Sequence, residues 1–243
     1  AVRRASVTLL AAAMFACTTR SQTLPQTPQS PPAAQARPAS TAAPTPPAAA
    51  ITTRIKALDE QAQAAWKAKD WQRVIELYTQ VIALDANHAR AWRWRGAARS
   101  ELEQHDAAIA DRRKALELEP NSAYAHNGLC WALILAGRWN EAQPVCASGQ
   151  SMAPMDMSLT VNLANTYLLQ GNQAQAWRWY EQAVGLIDDE NDLIDGLLDD
   201  FNRFERKGWQ VELVRRARAQ FEPQARAWLA ALANARPWFE QAA

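Results

Sequence analysis

Shifted by 34 residues against itself, the sequence falls into register. Ala62, Gly96, Cys130 and Ala164 share one column, all small. Val74, Ala108, Ala142 and Ala176 share a second, and Leu84, Leu118, Met152 and Leu186 a third. A period of that length means that each unit is one supersecondary element, able to bury its apolar face only against its neighbours. The chain is thereby confined to a stacked array with a groove, an architecture better suited to holding a partner than to chemistry.

Within a unit, apolar and small residues recur at three and four. Leu129, Cys130 and Leu133 do so before Gly137, and Ala142, Cys146 and Gly149 after it, so each unit carries two helices. The breaks fall at Lys69-Asp70, Glu103-Gln104, Gly137-Arg138 and Gly171-Asn172, and Pro120 and Pro154 close second helices. Small residues in the first two columns predict close approach of paired helices, with the Leu/Met column filling the seam to the next unit.

Arg95-Gly96, Ala108-Ile109-Ala110-Asp111, Ala115-Leu116-Glu117-Leu118 and Pro120 resemble the tetratricopeptide repeat (TPR). So do Gly137-Arg138-Trp139-Asn140-Glu141-Ala142 in the third unit and Asn165-Thr166-Tyr167 with Gly171 and Ala176 in the fourth. The resemblance implies an all-α fold, a right-handed superhelix of helical hairpins in four units, 55–88, 89–122, 123–156 and 157–190, with capping helices over 191–243. There are departures. Arg99 and Arg112 stand where the family usually places aromatics, and His126 and Thr160 fall in the column of Leu58 and Trp92. The second unit is expected to pack partly through charge, with an Arg95–Asp111 ion pair across its two helices.

After Asp188 the phase is lost. Residues 192–207 read as a helix stopped by Gly208. Another starts near Trp209, and Pro223 is expected to kink or divide it before Ala225 to Asn234. The acids Asp188, Asp189, Glu190, Asp192, Asp195, Asp199 and Asp200 fit a polar terminal cap, since acids favour helix N-termini. They lack the alternating Asp-x-Asp-x-Asp-Gly spacing of a calcium loop.

In TPR arrays the column of Gln63, Ala97, Trp131 and Asn165 faces a concave groove, flanked by those of Arg93 and Asn127 and of Arg90 and Tyr124. The resemblance therefore implies a protein or peptide partner held by Arg90, Arg93, Tyr124, Asn127, Trp131 and Asn165, a set with the aromatic and Arg character of binding hot spots. A solvated face with one exposed Trp is the blander alternative. The family's carboxylate clamp is not expected: Ala97 and Gly128 stand where Asn would be needed, and Ser158 where a basic residue would be.

No catalytic constellation, metal site or cofactor site is expected. His88, His105 and His126 are unrelated in spacing, and HExxH, GxSxG and a Gly-rich phosphate cradle are lacking. From Ile51 onward 22 basic residues face 25 acidic ones, a net charge of −3 that argues against nucleic acid. Cys130 and Cys146 fall on the two helices of one unit, opposite each other once the hairpin folds about Gly137. They read as a candidate disulfide, with two buried small thiols as the alternative.

The N-terminal segment carries a different signal. Arg3 and Arg4 precede the apolar run Val7 to Ala16 and then Cys17, the pattern of an export signal over residues 1–17. Met14-Phe15-Ala16-Cys17 resembles the bacterial lipobox, which implies lipidation at Cys17; ordinary cleavage after an alanine is the alternative. Between Thr18 and Ala50 lie eight of the 13 prolines and no acidic residue, a composition that cannot offset its ordering entropy and reads as a disordered linker. By resemblance to lipoprotein sorting, Thr18 rather than Asp after the cysteine implies the periplasmic side of the outer membrane, with soluble periplasmic protein as the alternative. The expected protein is a lipid-tethered periplasmic adaptor in envelope assembly or regulation, without catalysis. Two other readings stay open. One is a homo-oligomer whose groove is filled by its own C-terminal helix through Trp209, Trp228, Trp238 and Phe239; the other is a redox-active thiol protein.

Overall fold

The computed structural model describes the chain from Ala48 to Glu240, with side chains as far as Asn234. The expected export signal with Cys17, the expected linker up to residue 47 and the side chains of Trp238 and Phe239 lie outside the described residues. Ala48 to Ala50, expected to end the linker, already belong to the first helix.

Every described element is helical. They are α1 (Ala48–Lys67), α2 (Trp71–Leu84), α3 (Ala89–Glu101), α4 (His105–Leu118), α5 (Ala123–Leu135), α6 (Trp139–Met152), α7 (Met157–Leu169) and α8 (Gln173–Val184). A π-helical segment (Asp192–Leu198) then runs directly into α9 (Asp199–Arg206), and α10 (Val211–Glu240) follows. Local chemistry sets the starts. Asp70, His88, Ser122, Asp156 and Asn172 each accept a hydrogen bond from the backbone N–H three residues on, satisfying a donor the helix leaves free. Each hairpin turns through a left-handed residue, at Lys69, Glu103, Gly137, Gly171 and Gly208.

The first two columns behave as close-packing positions. Ala62, Cys130, Ala164, Val74, Ala108, Ala142 and Ala176 are buried. A β-carbon on Gly96 would sit 3.2 Å from both the Ala108 carbonyl oxygen and the Asp111 side chain. The third column fills the seam only in part: Leu118 and Leu186 are half-buried, but Leu84 and Met152 are 36% and 45% exposed. The seam residues are Val81, Ala115, Gly149 and Ala183, three positions earlier, all buried. These residues lie one turn back on the same face of the second helix.

Phase is lost after Asp188, but the hairpin geometry is not. Phe201 lies seven residues before the left-handed Gly208, as Ala164 lies seven before Gly171. Phe201, Val214 and Phe221 are fully buried in the corresponding places. The expected capping helices are thus a fifth hairpin, shifted by a longer connection and a π-helical opening. Acidic caps hold that opening: Asp189 accepts from the Asp192 backbone N–H, and the Asp192 carboxylate accepts from that of Asp188. Pro223 does not divide α10, which is helical on both sides of it. Val214, Ala217, Phe221 and Ala225 form one buried stripe across the proline, so both halves are anchored to the same core.

The second unit packs through charge. Arg95 donates from Nε and Nη2 to both Asp111 oxygens at 2.9 and 2.8 Å, and Arg99 adds a third bond at 2.8 Å. Asp111 is 2% exposed. One apolar cluster lies under α1, α2 and α3 (Leu58, Val74, Leu77, Ala91) and another runs from Ile109 to Ala225. No helix among the described residues is long and apolar enough to cross a membrane.

Candidate functional site

First helices of successive hairpins touch directly: α3 meets α5, α5 meets α7, and α7 meets the π-helical segment. They form the inner face, and a cleft of about 330 Å³ opens on it. One wall is α5, with Tyr124, Asn127, Gly128 and Trp131; the floor is α7, with Ser158, Val161 and Asn162. The far wall belongs to the fifth hairpin, with Asp195, Gly196, Asp199, Asp200 and Arg203. A single residue from a second helix enters this lining, Arg112 of α4.

Of the six residues assigned to the groove from sequence, three meet here. Tyr124 is 53% exposed. Asn127 accepts from the Asn162 amide at 2.6 Å, which fixes its orientation across two helices. Trp131 lies half-buried, with the Arg203 guanidinium 5.7 Å from its ring centroid. Arg93 sits at the rim, 4.9 Å over the Tyr124 ring and paired with Glu119. Arg90 is elsewhere: it pairs with Asp59 at 3.1 Å and lines a smaller hollow with Trp66, Tyr78 and Trp94.

Asn165 departs from its expected place. It is fully buried, accepting from the Tyr180 hydroxyl at 2.6 Å and donating to Asp200 at 2.7 Å. The fifth hairpin covers the position that would otherwise face the groove. Burial pushes the Asp200 carboxyl up to about 8 and outweighs the Asn165 hydrogen bond and the Arg203 charge, which pull it down. At neutral pH this residue is chiefly the neutral acid.

Arg112 was noticeable in sequence only as a charge in an aromatic column. It is 9% exposed, and its Nε is buried without a hydrogen-bond partner. The nearest carboxylate along the chain, Asp111, is occupied by Arg95 and Arg99. Burial draws the Arg112 guanidinium down to about 10, with Arg93 contributing in the same direction and the Asp111 charge opposing it.

Cys130 and Cys146 are joined by a disulfide with Cα atoms 5.1 Å apart, and both residues are fully buried. The histidines are dispersed: His88 caps α3, His105 opens α4, and His126 contacts the Ser122 carbonyl. Among the described residues no group of three or more His, Cys, Asp or Glu side chains is arranged to hold a metal ion. Trp209 packs against Trp139 and Phe204, and the Trp228 indole donates to the Ile187 carbonyl. These two residues thus join the fifth hairpin to earlier parts of this chain, Trp209 to α6 and Trp228 to the connection after α8.

A stack of antiparallel helical hairpins with a cleft on its inner face defines a helical-repeat binding protein. The chain belongs to the tetratricopeptide repeat family, whose model matches residues 52–192. Small glutamine-rich tetratricopeptide repeat-containing protein 2 of Mycosarcoma maydis is 33% identical over 111 residues, 46% of this chain and 32% of that protein. The SGT1 homolog of Oryza sativa subsp. japonica is 32% identical over 111 residues, 45% of this chain and 30% of its own length. The chain thus spans about a third of these relatives. Among solved structures, MamA 41-end from Desulfovibrio magneticus RS-1 superposes with a TM-score of 0.55 at 17% identity, covering 72% of this chain and 96% of that one. At that identity the likeness is one of fold. Proteins of this family mediate protein–protein interactions. The family match ends at residue 192, so the far wall of the cleft lies beyond it.

Proposed function

We propose that this chain is a non-catalytic adaptor that holds a peptide segment of a partner protein in the cleft between α5, α7 and α9. The observation that carries the reading is the convergence of Tyr124, Asn127 and Trp131 on an open cleft of about 330 Å³. Two aromatics beside an oriented amide supply apolar contact and hydrogen bonding together, the combination by which hot spots grip an extended chain. We further propose that the adaptor is exported and tethered through lipidated Cys17, with the Pro-rich stretch as its spacer and the cell envelope as its place of work. The Cys130–Cys146 bond serves stability in this reading, since both cysteines are buried away from exchange partners.

A photoreactive residue at Trp131, irradiated in living cells, should yield a crosslinked protein adduct absent when the same residue is placed at exposed Arg215. Equal or no adducts at the two positions would refute the groove reading. Tethering has its own test: Cys17→Ala should move the protein from the membrane to the soluble fraction.

A further inference from the structure

We infer that Arg112 is the anion receptor of the cleft, and that the segment bound there presents a carboxylate to it. The inference rests on the groove reading above and deepens it. Arg112 springs from α4, behind the inner face, and reaches the cleft past Gly128 of α5. A β-carbon at 128 would stand 2.2 Å from Arg112 Nη1 and 2.8 Å from Cζ, so the absence of a side chain there is what lets the guanidinium through. A cation 9% exposed with no hydrogen bond and no ion pair among the described residues is costly unless something compensates it. Its neighbours do so only in part: Asp111 favours the charge but is committed to Arg95 and Arg99, and Arg93 is itself cationic and paired with Glu119. The guanidinium fork matches a carboxylate in two parallel bonds.

The far wall narrows the class of ligand. Asp195 is exposed and Asp199 pairs with Arg203 at 3.6 Å, so the cleft is cationic on one side and acidic on the other. A phosphate or a nucleic acid would bring two or more negative charges against Asp195 and Asp199. A peptide carboxylate brings one, and a basic residue beside it in the ligand would meet Asp195. The favoured occupant is therefore a peptide segment with an Asp, a Glu or a free C-terminus, next to a Lys or Arg.

The test is selection of binders to the full chain from a library of random 12-residue peptides, synthesised with free and with amidated C-termini. Selected peptides should carry a carboxylate, and replacing it by the amide should weaken binding at least tenfold. Arg112→Gln and Gly128→Ala should each weaken the acidic peptide at least tenfold, and on Arg112→Gln acid and amide should bind within twofold of each other. Removing an unpartnered buried cation should raise the melting temperature of Arg112→Gln, separating lost binding from lost fold; Gly128→Ala keeps the charge and only displaces it. Binders lacking a carboxylate, or binding within twofold of wild type in both variants, would overturn the assignment. So would displacement of the peptide by inorganic phosphate at concentrations where acetate has no effect. If Trp131→Ala abolishes binding while Arg112→Gln and Gly128→Ala retain it, the groove reading survives and the carboxylate assignment falls. If no peptide binds the wild type, both fall.

Discussion

The guanidinium of Arg112 occupies space that any side chain at Gly128 would claim: Nη1 lies 2.2 Å from where the β-carbon would stand. A residue of a second helix is thereby delivered to the cleft, whose other lining residues come from first helices and the π-helical segment. That delivery leaves a cation buried and unbonded.

Its stability consequence runs against the usual direction for a buried side chain. Arg112→Met keeps much of the stem's apolar contact and removes a desolvated charge, so it should stabilise the fold by about 1–3 kcal/mol. Urea unfolding of the ligand-free protein checks this, and a destabilisation would show that Arg112 has a partner in the fold.

Asp200 should make stability depend on pH. Its folded-state value of about 8 lies above the ordinary 3.8, so the folded form holds the proton more tightly. The contribution is complete below about pH 4 and is lost as pH rises towards 8, at up to about 1.4 kcal/mol per pH unit. Asp200→Asn imitates the neutral acid and should flatten the profile in that window. Unfolding free energies at pH 5, 6.5 and 8 decide it; parallel slopes for the two proteins would refute the assignment.

Asp111→Ala strands Arg95, which is itself buried, and should cost about 3–5 kcal/mol. Adding Arg95→Met should restore most of that loss, because the uncompensated charge goes with it. Additive losses in the double-mutant cycle would mean that the pair is not the energetic unit seen here.

The Cys130–Cys146 bond closes a loop with a sequence separation of 16, and its loss should cost about 3 kcal/mol. Thermal melts with and without reductant, repeated on a Cys130→Ala/Cys146→Ala variant, test the size. The variant should be indifferent to reductant.

At Lys69 the backbone turns left-handed, with φ of 57° on a residue that carries a β-carbon. Lys69→Gly should stabilise by about 1 kcal/mol. Glu103→Gly should gain less, although its φ is 56°, because it surrenders the 2.8 Å bond to Lys207. Equal gains at both sites in chemical denaturation would count against the Lys207 contact.

Much of the architecture was legible along the chain. Small residues every 34 positions specify close-packed hairpins because helix separation depends on local side-chain volume, and the breaks at Lys69-Asp70 and Gly171-Asn172 fall where Asp70 and Asn172 cap the following helices. The Arg95–Asp111 pair was legible for the same reason, since its partners face each other within one hairpin. Tyr124, Asn127 and Trp131 could be placed on the inner face by their phase together with the TPR resemblance, which says which column faces the groove.

Tertiary structure decided the rest, because the remaining contacts join hairpins that no local rule couples. Only packing revealed that the fifth hairpin resumes the stack after a π-helical opening, supplying the acidic wall of the cleft and burying Asn165 beneath Asp200. Only packing carried Arg112 past Gly128 to the inner face. Periodicity reports which face of a helix a residue occupies; whether that face meets water, a neighbour or a ligand depends on what the next hairpin brings to it.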